Sequence, residues 1–268
     1  MKYKLLALDI DGTLTNSQKQ ISPKTRQALM EAQQKGLRLI LASGRPTDGI
    51  RPLARQLEMD KYGGFILSYN GARVIDLSNE QVVYEKTLAP EIIPVIGELA
   101  HKYKIGVLTY VDGAVITETP EDPYIQLEAR INGLPLKGVE NFAAAVTEKE
   151  PKCLMTGDGE YMGKIEPEIA AALGNLSVYR SEAYFIEIMP ENIDKAVSLE
   201  KLCEYVGVTR EELAACGDGY NDMPMIRYAG LGIAMANAKE PVREAADVIT
   251  LSNDEDGIAA ALEKYFEL

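Results

Sequence analysis

The sequence LLALDIDGTL, residues 5–14, is an apolar run that ends in two aspartates followed by glycine and threonine. The stretch YKLLALDI, residues 3–10, is typical of a buried strand. Asp9 and Asp11 stand two positions apart, so both would project to the same side where that strand ends. Carboxylates this close repel each other unless a cation or a bound substrate lies between them. The stretch therefore predicts a buried strand with a binding site at its carboxyl end.

Strand and helix patterns alternate on both sides of an interruption in the middle of the chain. A helix pattern begins at Ser22-Pro23 and ends at Gly36, and apolar strand patterns follow it. From about residue 72 the pattern changes to hairpins, and the alternation resumes after Pro190. Alternation of this kind favours a parallel sheet covered by helices on both faces. We therefore predict an α/β fold with a Rossmann-like core formed by residues 1–82 and 187–268, and an inserted α+β cap of residues 83–186.

Composition excludes several classes of protein. The chain has 268 residues, 46% hydrophobic and 26% charged, and no apolar run long enough to span a membrane. Its first apolar stretch stops at Asp9, too early for a signal peptide, which predicts a cytoplasmic protein. A net charge of −13 disfavours nucleic acids and anionic membrane surfaces as partners. His101 is the only histidine, and the three cysteines are widely spaced, which argues against Ser-His-Asp catalysis, disulfides and zinc.

The ends of other predicted strands carry polar residues that could join Asp9 and Asp11. Ser43, Gly44 and Arg45 follow the second strand, and GDGYND supplies Asp218, Asn221 and Asp222 after a later one. In open α/β sheets, ligands bind beyond the carboxyl ends of the strands. Carboxylates without histidine or paired cysteines suit Mg²⁺, which prefers oxygen ligands. We therefore expect a magnesium site at this edge of the sheet.

A phosphate group would find positive and polar partners at the same edge. Lys195 begins a predicted helix, where its charge adds to the positive end of the helix dipole. The Ser43 hydroxyl can donate a hydrogen bond, and the Gly44 amide permits close approach of a ligand. These groups predict a cradle for a tetrahedral anion.

Four motifs together resemble those of a known family. DIDGT, SGR, a lysine at a helix start and GDGYNDMPM are similar, in order and relative spacing, to the motifs of the haloacid dehalogenase (HAD) superfamily of Mg²⁺-dependent phosphohydrolases. The long insertion after the second motif, with NGA at residues 70–72 shortly before it, resembles the C2-capped, Cof-type sugar-phosphatase branch. One departure is Ala196, where the family usually has glycine after the lysine.

The resemblance implies a role for each motif residue. Asp9 would be the nucleophile that forms an aspartyl-phosphate, and Asp11 would protonate the leaving oxygen and then activate water. Mg²⁺ would be held by Asp9, Asp218 and the backbone carbonyl of Asp11, with Asp222 close by. The residues implied to bind the phosphoryl group are Ser43, Gly44, Lys195, Asn221 and the backbone amide of Ile10. Arg45 and Asn70 either face the substrate or stabilise a turn.

Three functions are compatible with these residues. The first is a Mg²⁺-dependent phosphatase of small phosphorylated metabolites, with sugar phosphates as the expected class. The second is a phosphotransferase or phosphomutase that passes the same aspartyl-phosphate to a sugar. The third is a non-catalytic metabolite-binding module, which the presence of both Asp9 and Asp11 disfavours. No oligomeric state is predicted.

Overall fold

The structure is a computed structural model that describes residues 2–266. The chain divides into two compact units. Unit 1 comprises the residues up to Tyr84 and those from Asp194 onward, and unit 2 comprises Glu85–Ile193. Both units contain strands and helices.

The strands and helices of the described residues follow in chain order. The strands are β1 (Leu5–Leu8), β2 (Arg38–Ala42), β3 (Phe65–Ser68), β4 (Arg73–Asp76), β5 (Gln81–Glu85), β6 (Gly106–Val111), β7 (Ala114–Thr117), β8 (Leu136–Gly138), β9 (Cys153–Thr156), β10 (Ser177–Glu182), β11 (Phe185–Met189), β12 (Leu213–Gly217), β13 (Leu231–Ala234) and β14 (Val248–Ile249). The α-helices are α1 (Pro23–Gln34), α2 (Thr47–Gln56), α3 (Ile92–Tyr103), α4 (Pro123–Asn132), α5 (Phe142–Ala145), α6 (Gly159–Leu173), α7 (Lys195–Val206), α8 (Met223–Tyr228), α9 (Glu240–Ala245) and α10 (Gly257–Tyr265).

The sheet of unit 1 has the strand order β14-β13-β12-β1-β2-β3-β4-β5. The pairs from β14 to β3 are parallel, and β3 pairs with β4 in the antiparallel sense. The first strand, β1, therefore lies between β12 and β2, which come from the two ends of the chain. This arrangement confirms the predicted Rossmann-like parallel core.

Helices cover both faces of this sheet, which explains why β1 is entirely apolar. Leu6 and Leu8 pack in a buried cluster that includes residues of α1 and α10. Leu5 and Ala7 point to the other face and pack with residues of α7 and α8. A strand buried on both faces reads as a continuous apolar run rather than an alternating one. The two aspartates that follow β1 therefore mark the point where the chain leaves the core.

Unit 2 has a second sheet, with the strand order β10-β11-β9-β6-β7-β8. Its pairs are antiparallel except for β7 with β8. The β6–β7 hairpin turns at Asp112 and Gly113. Residues of α3 and α6 pack on the sheet around a core of their own. The α+β character expected of the inserted segment is therefore present.

The second predicted domain boundary, between residues 186 and 187, falls inside β11. Ile186 and Ile188 pair with Met155 and Cys153 of β9 and are buried in the core of unit 2. The whole of β11 therefore belongs to unit 2, and the chain returns to unit 1 at Asp194. The first division, after Tyr84, lies close to the predicted one at residue 82. Among residues 2–266, no helix is long and apolar enough to cross a membrane.

Candidate active site

Three carboxylates meet at the carboxyl ends of two neighbouring strands in unit 1. Asp9 directly follows β1, Asp218 directly follows β12, and Asp222 lies in the short turn before α8. Because β1 and β12 are adjacent and parallel, their ends lie side by side. Each of the three residues offers a carboxylate oxygen within 4.8 Å of the others. The structure thus brings together the aspartate side chains that the sequence predicts for a metal site.

Lys195, the first residue of α7, lies beneath these carboxylates and is 0% exposed. Its Nζ donates to Asp9 Oδ1 at 2.7 Å, to Asp222 Oδ1 at 2.6 Å and to the carbonyl of Ala42 at 2.7 Å. An ammonium has three N–H groups, so every donor of this lysine is used. Burial acts to lower the pKa of Lys195, but Asp222 and Asp9 outweigh it and hold the pKa above its ordinary value. The lysine is therefore a buried cation that ties the ends of β1 and β2 to the Asp222 turn.

One lysine does not balance three carboxylates. When all four groups are ionised, the cluster of Asp9, Asp218, Asp222 and Lys195 has a formal charge of −2. Burial and the charge of Asp222 raise the pKa of Asp9 to about 8 despite the nearby lysine. Burial also raises the pKa of Asp218, partly opposed by its hydrogen bond from Thr13. A divalent cation would cancel the excess charge, and an all-oxygen donor set fits a hard cation such as Mg²⁺.

The loop after β1 is held against Asp218 by two residues that the sequence analysis did not select. Thr13 Oγ1 donates to Asp218 Oδ1 at 2.9 Å, and Asn237 Nδ2 donates to the Gly12 carbonyl at 2.9 Å. Gly12 has a φ of +88°, and a Cβ there would lie 2.4 Å from Asp218 Oδ2. Only glycine fits this close approach. Asn237 follows the end of β13, so the search along strand ends could have found it.

Asp222 fixes the turn that carries Asp218. Its Oδ2 accepts hydrogen bonds from the backbone N–H groups of Asp218 at 3.0 Å and Gly219 at 2.8 Å, while Oδ1 accepts from Lys195. Both oxygens therefore have protein donors. Asp222 adds charge to the site and positions its neighbours as well.

The Asp11 side chain lies among cations rather than with the other carboxylates. Arg45 donates from Nε to Oδ2 and from Nη2 to Oδ1, both at 2.8 Å, and Lys19 Nζ donates to Oδ1 at 2.8 Å. Burial acts to raise the pKa of Asp11, but the hydrogen bonds and charges of Arg45 and Lys19 outweigh it and hold the pKa below its ordinary value. The Asp11 side chain is 36% exposed. Lys19 was not selected from the sequence, because an isolated lysine in a polar loop carries no signal.

Ser43, Asn70 and Asn221 form a connected group beside the carboxylates. The carbonyl of Ser43 accepts a hydrogen bond from Asn70 N at 3.0 Å, and Asn221 Nδ2 donates to Asn70 Oδ1 at 3.1 Å. Ser43 Oγ accepts from the backbone of Arg45 at 3.3 Å. Gly44 lies directly against the Asn70 amide. Asn70 therefore links the loop after β2 with the loop after β12.

Ile10 separates the two aspartates of the first motif. Its side chain is fully buried, and its carbonyl accepts hydrogen bonds from Thr15 N and Thr15 Oγ1, both at 2.9 Å. Its backbone N–H has no hydrogen-bond acceptor within residues 2–266. The amide that the resemblance assigns to the phosphoryl group is therefore available for a ligand.

Comparison with known proteins shows that nearly the whole chain is similar to haloacid dehalogenase-like hydrolases. A family model described as haloacid dehalogenase-like hydrolase matches residues 6–262. A 5-amino-6-(5-phospho-D-ribitylamino)uracil phosphatase of Bacillus subtilis (strain 168) is 33% identical over 266 residues, covering 98% of this chain and 95% of that protein. A solved haloacid dehalogenase-like hydrolase from Bacteroides thetaiotaomicron is 49% identical with a TM-score of 0.96, covering 98% of this chain and 100% of that one. A solved HAD subclass IIB sugar phosphatase is 26% identical with a TM-score of 0.81, covering 98% of each chain.

Proposed function

The chain belongs to the haloacid dehalogenase-like hydrolase family and is a phosphoric monoester hydrolase. We propose that it is a Mg²⁺-dependent phosphatase of small phosphorylated metabolites and that it forms an aspartyl-phosphate at Asp9. The observation that carries this proposal is the cluster of three carboxylates around one buried lysine, with its formal charge of −2. A phosphatase needs both a nucleophile and a site for the cation that offsets the charge of its substrate.

Asp9 is the nucleophile in this proposal. Lys195 donates to Oδ1, whereas Oδ2 accepts no hydrogen bond from any residue between 2 and 266. Oδ2 is therefore the oxygen that attacks phosphorus. The new Asp9 oxygen–phosphorus bond forms as the bond from phosphorus to the ester oxygen breaks. The hydrogen bond from Lys195 and a bound cation both favour the ionised carboxylate that this attack needs.

Asp11 is the general acid and then the general base. In the first step its carboxyl gives a proton to the departing ester oxygen, which leaves as an alcohol. In the second step the resulting carboxylate takes a proton from water, whose oxygen attacks phosphorus and displaces Asp9. The products are inorganic phosphate, the alcohol and the regenerated carboxylate of Asp9. Ion pairing with Arg45 and Lys19 favours the carboxylate form that the second step requires. The proton that the first step needs is therefore taken up by Asp11 when the negatively charged phosphate ester binds beside it.

Asp9, Asp218 and the backbone carbonyl of Asp11 would hold Mg²⁺, with Asp222 close by. When bound, the ion supplies positive charge that stabilises the phosphoryl oxygens in the transition state. Thr13 and Asn237 orient Asp218 and the adjacent loop. Partners of this kind strengthen metal binding because they hold the ligands in place.

The phosphoryl group would be bound by the Ser43 hydroxyl, the amides of Gly44 and Ile10, the Asn221 side chain and Lys195. The three donors of Lys195 already bond to protein oxygens. To reach a phosphoryl oxygen, the lysine must therefore exchange one of these partners for the substrate. Sugar phosphates are the substrate class we propose, because a sugar phosphatase is among the similar proteins of known structure.

The proposal is tested by rapid-mixing kinetics of Asp11→Ala in the presence of Mg²⁺. General acid catalysis contributes about 10² to 10⁴-fold, and it matters most for a poor leaving group such as a sugar alkoxide. Release of the sugar from a sugar phosphate should therefore slow much more than release of nitrophenol from p-nitrophenyl phosphate. Because the same change removes the base, the nitrophenyl ester should give a burst of nitrophenol followed by slow turnover.

Asp9→Asn is the matched control, since it keeps the shape of the side chain but cannot attack phosphorus. It should show neither burst nor turnover with either ester. Equal slowing of both esters in Asp11→Ala without a burst would refute the role given to Asp11. Normal turnover in Asp9→Asn, or full wild-type activity in EDTA, would refute the covalent or the metal-dependent part of the proposal.

A further inference from the structure

The two cations beside Asp11 have more hydrogen-bond donors than the protein uses. A lysine ammonium has three N–H groups and an arginine guanidinium has five. Three of these eight donate to Asp11: Lys19 Nζ, Arg45 Nε and Arg45 Nη2. The other five side-chain N–H groups find no protein acceptor in the part of the chain that the structure describes. The Arg45 side chain is 17% exposed.

Lys19 lies in a turn that several hydrogen bonds hold together. Asn16 N donates to the Gln20 carbonyl, and Lys19 N donates to the Asn16 carbonyl at 2.8 Å. Asn16 Oδ1 accepts from the backbone of Gln18 and Gln20, both at 3.0 Å. Ser17 N donates to Asp254 Oδ1 at 2.8 Å, which ties the turn to the C-terminal part of unit 1. These hydrogen bonds therefore fix the backbone of Lys19 close to Asp11. The side chain of Lys19 is 65% exposed.

Charge divides this part of unit 1 into two regions. Asp9, Asp218, Asp222 and Lys195 have a formal charge of −2, which suits a divalent cation. Asp11, Arg45 and Lys19 have a formal charge of +1, in a chain whose net charge is −13. A positively charged cluster with unused hydrogen-bond donors, in so acidic a protein, is suited to bind an anion.

We propose that Lys19 and Arg45 bind a second anionic group, a carboxylate or a second phosphate, on the leaving-group side of the substrate. This inference rests on the proposed function, in which Asp11 contacts the departing ester oxygen. Hydrogen-bond contact places Asp11 about 3 Å from that oxygen. Because both cations lie 2.8 Å from the Asp11 carboxylate, they are within about 6 Å of the ester oxygen. An anionic group one or two carbon atoms beyond the ester carbon can span that distance, which selects phosphorylated sugar acids and bisphosphates over neutral sugar phosphates.

The test compares two pairs of esters with Lys19→Met. In the first pair, 3-phosphoglycerate and glycerol 3-phosphate differ by a carboxylate in place of a hydroxymethyl group. In the second, glycerol 1,3-bisphosphate and glycerol 3-phosphate differ by a second phosphate. The wild-type enzyme should have the higher kcat/KM for the anionic member of at least one pair, and the pair concerned identifies the anion. Lys19→Met should reduce that preference by about tenfold, mainly through KM, which is the effect expected from one charge-assisted hydrogen bond.

Two further variants separate binding from other roles of the lysine. Lys19→Arg keeps a cation and should retain most of the preference. Lys61→Met removes an exposed lysine that pairs with Glu58 elsewhere in unit 1, and it should leave both ratios as in the wild type. Equal loss of kcat for both members of a pair in Lys19→Met would mean that the lysine only orients Asp11, and would overturn the inference. A wild-type enzyme that prefers, in both pairs, the ester without the second anionic group would also overturn the inference. Failure of every ester, including p-nitrophenyl phosphate, would instead refute the proposed phosphatase function.

Discussion

Replacement of the buried lysine tests the charge balance of the site directly. In Lys195→Met, a side chain of similar length fills the space while its charge and three hydrogen bonds disappear. Asp9 and Asp222 then lose their common cation, and the Ala42 carbonyl loses its donor. The carboxylates must either remain charged without a partner or take up protons.

The cost follows from the burial of this group. Removing one partner of a buried ion pair destabilises a protein by about 3–5 kcal/mol, because the remaining charge stays buried. For a chain of this length, each kcal/mol lost from the free energy of unfolding lowers the melting temperature by about 2 °C. We therefore expect Lys195→Met to melt about 6–10 °C below the wild type in EDTA. Mg²⁺ should stabilise the variant more than the wild type, because two carboxylates that have lost their lysine gain more from a cation.

The assay is thermal unfolding of both proteins in EDTA and in saturating Mg²⁺. Lys152→Met is the matched control, since Lys152 is also buried and pairs with Glu187 at 3.5 Å, but in unit 2. Its loss of stability should not depend on Mg²⁺. The reasoning would be refuted if Lys195→Met melted within 1–2 °C of the wild type in EDTA, or if Mg²⁺ stabilised all three proteins equally.

Two other predictions follow from the same cluster. Thr13→Val removes the hydroxyl that donates to Asp218 and should weaken Mg²⁺ binding by about tenfold, which titration calorimetry can measure; unchanged affinity would contradict the role given to Thr13. In EDTA, wild-type stability should fall as the pH rises from about 4 to about 8, because the pKa of Asp9 is raised on folding and the stabilising proton is lost as the pH passes through its folded value. Urea denaturation should show this loss of stability in the wild type and not in Asp9→Asn. If the free energy of unfolding fell equally with pH in both proteins, Asp9 would be excluded as the cause.

The convergence of Asp9 and Asp218 could be predicted because it depends on local patterns. Each residue directly follows an apolar strand, and the ends of parallel strands share one edge of the sheet. The position of the second domain boundary could not be predicted in this way. The pattern of β11 shows a buried strand but not which sheet it joins, and that choice depends on pairing with β9, about thirty residues earlier.

The burial of Lys195 was also beyond sequence reasoning. A lysine at a helix start is usually solvated, and nothing in its neighbourhood indicates otherwise. Its partners, Asp9 and Ala42, lie 186 and 153 positions away along the chain. Thr13 was missed for a different reason, since its hydroxyl acts on Asp218, 205 positions away, rather than on a ligand. Residues that act through another side chain leave little trace in a motif, whereas residues placed at strand ends do.

The segment Tyr69–Gly71 explains how such distant residues are held together. All three residues have positive φ, with values of 52°, 53° and 110°, a conformation that is costly for tyrosine and asparagine. A Cβ on Gly71 would lie 2.3 Å from Ser198 Oγ, so the segment packs directly on the first turn of α7. Ser198 donates to the Gly71 carbonyl at 2.7 Å, three residues after Lys195. Because Asn70 also bonds to Ser43 and Asn221, one strained segment fixes the lysine relative to both loops, and relaxing it would disturb the whole site.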